Sequence, residues 1–170
     1  MNTMDARDFI QIAKDICENT GSRLTETRQH MLEVLFTVDT PKSAYELTDD
    51  YNRLVNSPIM AMSVYRILNF LASIRLVHHL HSINKYIICK HPIASSENQV
   101  PLFLICTSCQ QIEEVAIAAD LIHALSDHAE SRGFISAGSQ IELNSLCKKC
   151  QSIIHQHSPG DLNGQNPTNK

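Results

Sequence analysis

The chain has 170 residues, of which 43% are hydrophobic, so it can form one or two small domains with modest cores. Its formal net charge of −4 at pH 7 excludes a general polycation, and any surface that binds nucleic acid must be a local basic patch. Residues 1–8 contain no long apolar run, and Cys17 and Cys89 stand outside any cysteine pair, so we expect a cytoplasmic protein without signal peptide or membrane anchor.

Apolar residues recur at helical spacing through the first part of the chain, which predicts helices. The first helix covers residues 5–19 and is closed by Gly21, and Thr25 can cap the second. A third helix begins with a capping box, in which the Ser43 hydroxyl caps the first turn and the Glu46 side chain reaches back.

A fourth helix is predicted after Ser57-Pro58 breaks the chain, just beyond the end of the third helix near Leu54. Its apolar face carries Val64, Ile67, Leu68 and Leu71. Its opposite face carries Tyr65, Arg66 and Asn69. This division is typical of a helix with one side in the core.

After Arg75 the apolar period changes to two, which predicts strands over residues 76–81 and 85–89, joined as a hairpin at Ser82-Ile83-Asn84. Short helices followed by such a two-stranded wing are typical of a winged helix-turn-helix. In that motif the last helix enters the major groove of DNA and the wing lies beside the backbone.

The remaining sequence predicts a smaller α/β unit. Residues 90–101 are polar and resemble a hinge, and residues 102–106 form a short apolar strand. A helix is predicted over residues 118–132, ended by Gly133, and residues 135–146 read as mixed strand and turn.

Two C-x-x-C pairs lie in this unit, the first formed by Cys106 and Cys109 and the second by Cys147 and Cys150. Each C-x-x-C turn aims two thiolates at one point, so two turns supply the four soft ligands of a closed, structural zinc site. The alternatives are two disulfides, or a redox pair with a structural partner. A thioredoxin-type site, however, needs one C-x-x-C at the head of a helix after a strand, whereas two matched pairs occur here.

In this order, the motifs resemble the ferric uptake regulator (Fur) superfamily, most closely its zinc uptake regulator (Zur) branch, over about residues 7–151. The motifs are Arg23-Leu24-Thr25 with Arg28, Ser43-Ala44-Tyr45, Ser63-Val64-Tyr65-Arg66 with Leu68, and the two cysteine pairs. The resemblance implies a dimeric bacterial repressor in which a second metal site fixes the angle between the DNA-binding domains.

The expected fold class is therefore α+β, with an N-terminal winged helix-turn-helix followed by a small α/β dimerisation domain that holds a structural zinc. We expect a DNA-binding domain over residues 1–88, a hinge over residues 89–101 and the dimerisation domain over residues 102–154. Residues 155–170, which are rich in Pro, Gly and Asn, are predicted to be a disordered tail.

Six residues are candidates for DNA contact. The Arg66 guanidinium can make the bidentate contact to guanine, and the resemblance favours a base contact for Tyr45. Side chains suited to phosphate belong to Ser63, Tyr65, Arg23 and Arg28. Alternatively each is a solvated surface side chain, or for Tyr65 an aromatic at the rim of the core.

The resemblance places His78, Cys89 and Glu114 at positions that bind the regulatory zinc. Hairpin pairing can bring His78 and Cys89 together, and a thiolate at Cys89 favours zinc over manganese or ferrous iron. The alternative is a buried core thiol and a strand histidine that already has its partners.

Two departures from the family pattern stand out. Residues 97–101 carry no histidine where family members have a histidine-rich motif, and Gly138 replaces a histidine of an additional site. His91 is the candidate substitute ligand.

Other histidines have less support as ligands. Strand alternation places His79 and His81 on the face opposite His78, towards solvent. His123 and Asp127 lie four residues apart on a predicted helix, as ligands or as an exposed polar face.

The sequence thus predicts a zinc-dependent transcriptional repressor in metal homeostasis, which binds double-stranded operator DNA as a homodimer. We expect one structural and one regulatory Zn²⁺ per chain, no membrane partner and no enzymatic activity. The alternatives are an iron or peroxide sensor of the same superfamily, or a cytosolic thiol redox protein that uses Cys106 and Cys109.

Overall fold

The computed structural model describes residues 5–38, 40–90, 98–135 and 140–156. Over these ranges the helices and strands run in the order α1 (Ala6–Asn19), α2 (Glu26–Phe36), α3 (Ala44–Leu54), α4 (Ala61–Ser73), β1 (Val77–Leu80), β2 (Lys85–Ile88), β3 (Gln99–Cys106), β4 (Ile112–Ala118), α5 (Ala119–Glu130), β5 (Ile141–Ser145) and α6 (Lys148–Gln156). The expected α+β class is confirmed, with a winged helix-turn-helix first and a smaller α/β unit second. No described helix is long and apolar enough to cross a membrane.

Local capping defines the first three helices as predicted. The Thr25 hydroxyl accepts a hydrogen bond from the Arg28 backbone N–H at 3.4 Å, and α1 ends before Gly21, whose φ is +67°. At the start of α3 the Ser43 hydroxyl accepts from the Glu46 N–H at 3.3 Å, while the Glu46 carboxylate accepts from the Ser43 N–H at 2.7 Å. Both bonds of the capping box therefore form.

Helices α1 to α4 and one face of the hairpin enclose the main core. Its largest fully buried side chains include Phe9, Met31, Leu32, Leu35, Leu47, Tyr51, Leu68 and Leu71. Burial of each such side chain stabilises the fold by about 1.5–3 kcal/mol. The predicted inner face of α4 is confirmed, with Ile67 at the edge of this core.

The hairpin pairs antiparallel, with His78 opposite Ile87 and Val77 opposite Ile88. Its turn lies where the sequence predicts it, and Asn84 adopts the left-handed conformation there, with φ of +50°. Each strand is shorter than predicted. An additional antiparallel bridge joins Tyr86 to Lys42, which attaches the hairpin to the chain just before α3.

The second unit is a three-stranded sheet of order β4-β3-β5, in which β3 is antiparallel to β4 and parallel to β5. Strand β3 starts at Gln99, inside the predicted hinge, and strand β4 and helix α6 were not predicted. Helix α5 ends at Glu130, and Gly133 follows with φ of +82°.

A second, smaller core joins the hairpin to this sheet. Leu80 of β1 is buried against Phe103 and Ile105 of β3, with Ile83 and Ile87 packed beside them. Because strand side chains alternate between faces, Val77 points to the helical core while His78 and Leu80 point to the sheet. The hairpin therefore belongs to both cores.

Candidate metal centres and DNA-binding surface

The four cysteines of the two C-x-x-C pairs converge at one end of the sheet. Cys106 ends β3, and its parallel neighbour β5 ends at Ser145, two residues before Cys147 of the second pair. All four sulfur atoms lie within 4.8 Å of one another, and the Sγ atoms of Cys109 and Cys147 are 3.7 Å apart. This tetrad can surround one tetrahedral ion with thiolate ligands.

The environment of the tetrad moves the pKa values of its thiols in opposite directions. The backbone N–H groups of Cys147 and Cys109 lower the pKa of the Cys106 thiol to about 6. A hydrogen bond with Ser108 lowers the pKa of Cys150, but the neighbouring thiols of Cys109 and Cys147 outweigh it and raise this pKa to about 12. Clustered thiols thus resist full deprotonation by themselves, whereas a divalent cation replaces their protons.

A second group of potential ligands lies where the hairpin meets the sheet. His78 of β1, Cys89 directly after β2 and Glu114 of β4 place their ligand atoms within 4.8 Å of one another. His78 Nε2 is 3.8 Å from Glu114 Oε1, and the two side chains are only 11% and 14% exposed. The predicted proximity of His78 and Cys89 is confirmed.

His78 Nε2 is a buried nitrogen for which the described residues supply no hydrogen-bond partner. Leaving such an atom unpaired costs about 1–3 kcal/mol. Burial lowers the pKa of the imidazole, and the Glu114 carboxylate, which would raise it, offsets only part of this effect. A neutral imidazole, a thiol and a carboxylate around a common point fit a zinc ion.

The remaining candidate ligands are placed less favourably or lie outside the described residues. His91 belongs to the latter, as does Gly138, the position at which the family histidine is missing. His79 lies on the opposite face of the strand from His78, as predicted, but it faces solvent only in part, because its half-buried ring stacks on Tyr86 with centroids 4.4 Å apart. His81 is exposed, as predicted.

His123 and Asp127 are both exposed on α5. No third ligand joins this pair among the residues that the structure describes.

Two residues around His78 have no role in the sequence-based prediction. The Phe103 ring packs on the imidazole with centroids 4.8 Å apart, and the amide nitrogen of Gln140 donates to the backbone carbonyl of the neighbouring His79 at 2.8 Å. The sequence indicates a buried position for Phe103, because this residue lies in the apolar strand predicted over residues 102–106. No sequence pattern indicates Gln140, because it is distant in sequence from the hairpin that it contacts.

The polar face of α4 and the start of α3 form an exposed surface. Arg66 and Ser63 are exposed one turn apart on α4, and the Tyr45 side chain on α3 is 66% exposed. The Tyr65 ring is half-buried and meets Tyr45 edge to face, with centroids 6.1 Å apart. This surface has the position that a recognition helix presents to the major groove.

The two arginines at the start of α2 differ in their surroundings. Arg23 is exposed. Arg28 lies with its guanidinium 3.4 Å from the Phe70 ring centroid and donates to the Arg23 carbonyl at 2.7 Å. These contacts favour a packing role for Arg28. The phosphate contact expected from the sequence stays a prediction.

Comparison with known proteins gives one consistent result. The model of the ferric uptake regulator family matches residues 19–144. The zinc uptake regulation protein of Escherichia coli (strain K12) is 28% identical over 155 residues, which are 90% of this chain and 87% of that protein.

Two solved structures are similar over nearly their whole length. A zinc uptake regulator complexed with zinc and DNA superposes with a TM-score of 0.76 at 26% identity, over 89% of this chain and 99% of that one. Holo XcZur superposes with a TM-score of 0.70 at 31% identity, over 85% and 97% of the two chains.

Proposed function

Because the chain belongs to the ferric uptake regulator family, we propose that it is a zinc-responsive transcriptional repressor that binds operator DNA as a homodimer. The observation that carries this proposal is the cluster of His78, Cys89 and Glu114 at the junction of the wing and the sheet, where the described part of the chain offers the buried His78 Nε2 no hydrogen-bond partner. The similarity to a zinc uptake regulator complexed with zinc and DNA supports it.

The tetrad of Cys106, Cys109, Cys147 and Cys150 is the structural zinc site in this proposal. It joins the loop between β3 and β4 to the start of α6, and all four of its ligands come from the protein. A closed site of this kind stabilises a small domain and leaves no position for a substrate.

His78, Cys89 and Glu114 are the regulatory site. Zinc supplies a single centre to which all three side chains can coordinate. His78 and Cys89 come from the wing and Glu114 from the sheet, so simultaneous binding favours one arrangement of the two units. A ligand that binds one arrangement better than others shifts the population towards it. We propose that this arrangement is the one that matches two operator half-sites.

In the proposed complex, helix α4 lies in the major groove. Arg66 and Tyr45 contact bases there, whereas Ser63, Tyr65, Arg23 and Arg28 are nearer to phosphates. The chain is acidic overall, so affinity for DNA comes from this local surface.

The exposed apolar side chains of helix α5 are evidence for the proposed homodimer. None of its residues is buried, and Leu121 and Leu125 are 56% and 60% exposed. Leu143 on the edge strand β5 is exposed as well. A second copy of the chain would remove these apolar side chains from water.

We also propose that the protein acts in the cytoplasm and without catalysis. A tetrad of thiols and a further thiol at Cys89 remain metal-binding only where thiols stay reduced. In this proposal the clustered cysteines, His78 and Glu114 act as metal ligands, and the exposed polar side chains of α3 and α4 act as DNA contacts.

Metal analysis followed by DNA binding across buffered free zinc tests this function. Purified protein should contain up to two zinc ions per chain, by count of the two sites. Its affinity for a DNA sequence selected from a random library should rise with free zinc. DNA affinity that is independent of zinc contradicts the proposal. Equal activation by ferrous iron or manganese indicates the iron or peroxide branch instead.

A further inference from the structure

One row of residues runs across the sheet on the side that the hairpin covers. In the strand register, Phe103 of β3 lies directly opposite Glu114 of β4 on one side and Glu142 of β5 on the other. Residues that lie opposite each other on neighbouring strands point to the same face of a sheet. Phe103 is fully buried on this face against Leu80 of the hairpin, so all three side chains of the row face the hairpin.

The two ends of this row meet the hairpin in different ways. Glu114 Oε1 lies 3.8 Å from His78 Nε2, which is too long for a hydrogen bond, so in the proposed function a zinc ion joins this end to the hairpin. Glu142 binds the hairpin directly. Its Oε1 accepts from the backbone N–H of His81 at 2.8 Å, and its Oε2 accepts from the N–H of Ser82 at 2.9 Å. Both carboxylate oxygens therefore hold the start of the hairpin turn.

Gln140, directly before β5, adds two bonds to this contact. Its amide nitrogen donates to Glu142 Oε1 at 3.0 Å and to the backbone carbonyl of His79 at 2.8 Å. Three of the four bonds join residues 60 or 61 positions apart in the chain. Those three bonds exist only while the hairpin lies against the sheet, which is also the arrangement in which the regulatory ligands converge.

We infer that Glu142 is a positioning residue for the regulatory site, which holds the hairpin turn on the sheet and so keeps His78 opposite Glu114 before zinc binds. His78 precedes His81 by three residues, about 10 Å along an extended chain, so the position of the turn limits where the imidazole can lie. The inference rests on the proposed function, because it takes His78 and Glu114 as zinc ligands.

This role has a direct effect on zinc affinity. A site that is assembled for only a fraction of the time binds its ligand more weakly in proportion to that fraction. Glu142 raises the fraction of molecules in which the hairpin lies on the sheet, and it does so without touching the ion.

The first test measures amide hydrogen exchange in protein that keeps its four-cysteine zinc but has no zinc at the second site. His81 and Ser82 are exposed, so slow exchange of their amides reports the bonds to Glu142. Both amides should exchange slowly in the parent protein and faster in Glu142→Gln. Fast exchange of both amides in the parent protein overturns the inference.

The second test is a zinc titration against a chelating buffer such as EGTA. Glu142→Gln keeps the side-chain size, removes the charge and replaces one accepting oxygen by an NH₂ group that cannot accept. Affinity at the second site should fall at least about tenfold, because bonds to a charged group are lost from the zinc-competent arrangement. Glu130→Gln makes the same change at the exposed end of α5 and should leave the affinity unchanged.

Thermal unfolding and the four-cysteine zinc content of Glu142→Gln separate positioning from a structural role. If the variant is less stable but binds zinc at the second site as the parent does, Glu142 is only structural and the inference is wrong.

A matched His78→Ala titration separates the inference from the proposed function. If His78→Ala weakens zinc binding and Glu142→Gln does not, the inference alone fails. If His78→Ala has no effect, the regulatory site is wrong and the inference fails with it, even where hydrogen exchange shows the Glu142 bonds.

Discussion

His78 Nε2 and Glu114 Oε1 face each other at 3.8 Å across the boundary between the winged helix and the sheet. Neither side chain satisfies the other, because this distance exceeds that of a hydrogen bond. Cys89 completes the group from the wing side. Among residues 5–38, 40–90, 98–135 and 140–156, none bonds to His78 Nε2, and a cation at the centre of the group would coordinate this nitrogen and connect the two units.

Cys89→Ser should separate sensing from folding. Loss of the thiolate removes one ligand of the regulatory site, so operator binding should require at least about tenfold more free zinc, which corresponds to about 1.4 kcal/mol. The four-cysteine site is separate, so the variant should remain a dimer and keep about one zinc per chain. Cys17→Ser, the same change in the buried face of α1, is the matched control. Operator binding by Cys89→Ser at the parent's free zinc refutes the proposed sensor site.

Cys106→Ser or Cys147→Ser should unfold the second unit and abolish dimers. Metal binding in closed zinc sites contributes on the order of 10 kcal/mol to small domains. Zinc content, thermal unfolding and sedimentation measure the effect. A dimer of unchanged thermal stability in either variant rules out the structural role.

Arg66→Ala should lower affinity for operator DNA and leave affinity for random DNA and the zinc content nearly unchanged. A bidentate contact to guanine is worth about 1–3 kcal/mol, roughly 5- to 150-fold in affinity. Arg132→Ala removes the same charge from the second unit and serves as the control. Equal losses on operator and random DNA would assign Arg66 to a phosphate instead.

Arg28→Ala should destabilise the winged helix more than Arg23→Ala does. The first change removes the guanidinium from the Phe70 ring, a contact worth about 0.5–1 kcal/mol at an exposed site and more when buried. Urea unfolding of both variants measures the difference, and DNA affinity is compared in parallel. Equal stability with weaker DNA binding by Arg28→Ala would favour the phosphate contact.

Local signals in the sequence predicted the N-terminal half of the fold well. The capping box of Ser43 and Glu46 and the hairpin turn at Ser82-Ile83-Asn84 depend on a few neighbouring residues, and both form as predicted. The same holds for His78 and Cys89, because strand pairing alone brings them together.

The second unit was less predictable because its contacts are long-range. Strand β4 carries adjacent Glu113 and Glu114 and no clean alternation, and helix α6 includes Cys150, which the C-x-x-C spacing assigns to a ligand turn. Only the family resemblance, and no local sequence pattern, predicts Glu114 as a ligand. No local pattern indicates Gln140, because its hydrogen-bond partner His79 is distant in sequence.

The hairpin packs into both cores, and this shared packing affects how the molecule unfolds on heating. Separating the units after residue 88 would expose Leu80, which the sheet now covers completely, together with Ile83 and Ile87. The winged helix therefore loses apolar burial whenever the sheet unfolds, and the sheet loses it whenever the hairpin detaches. Unfolding of the two units is thereby thermodynamically linked, and loss of the sheet should lower the temperature at which the winged helix unfolds.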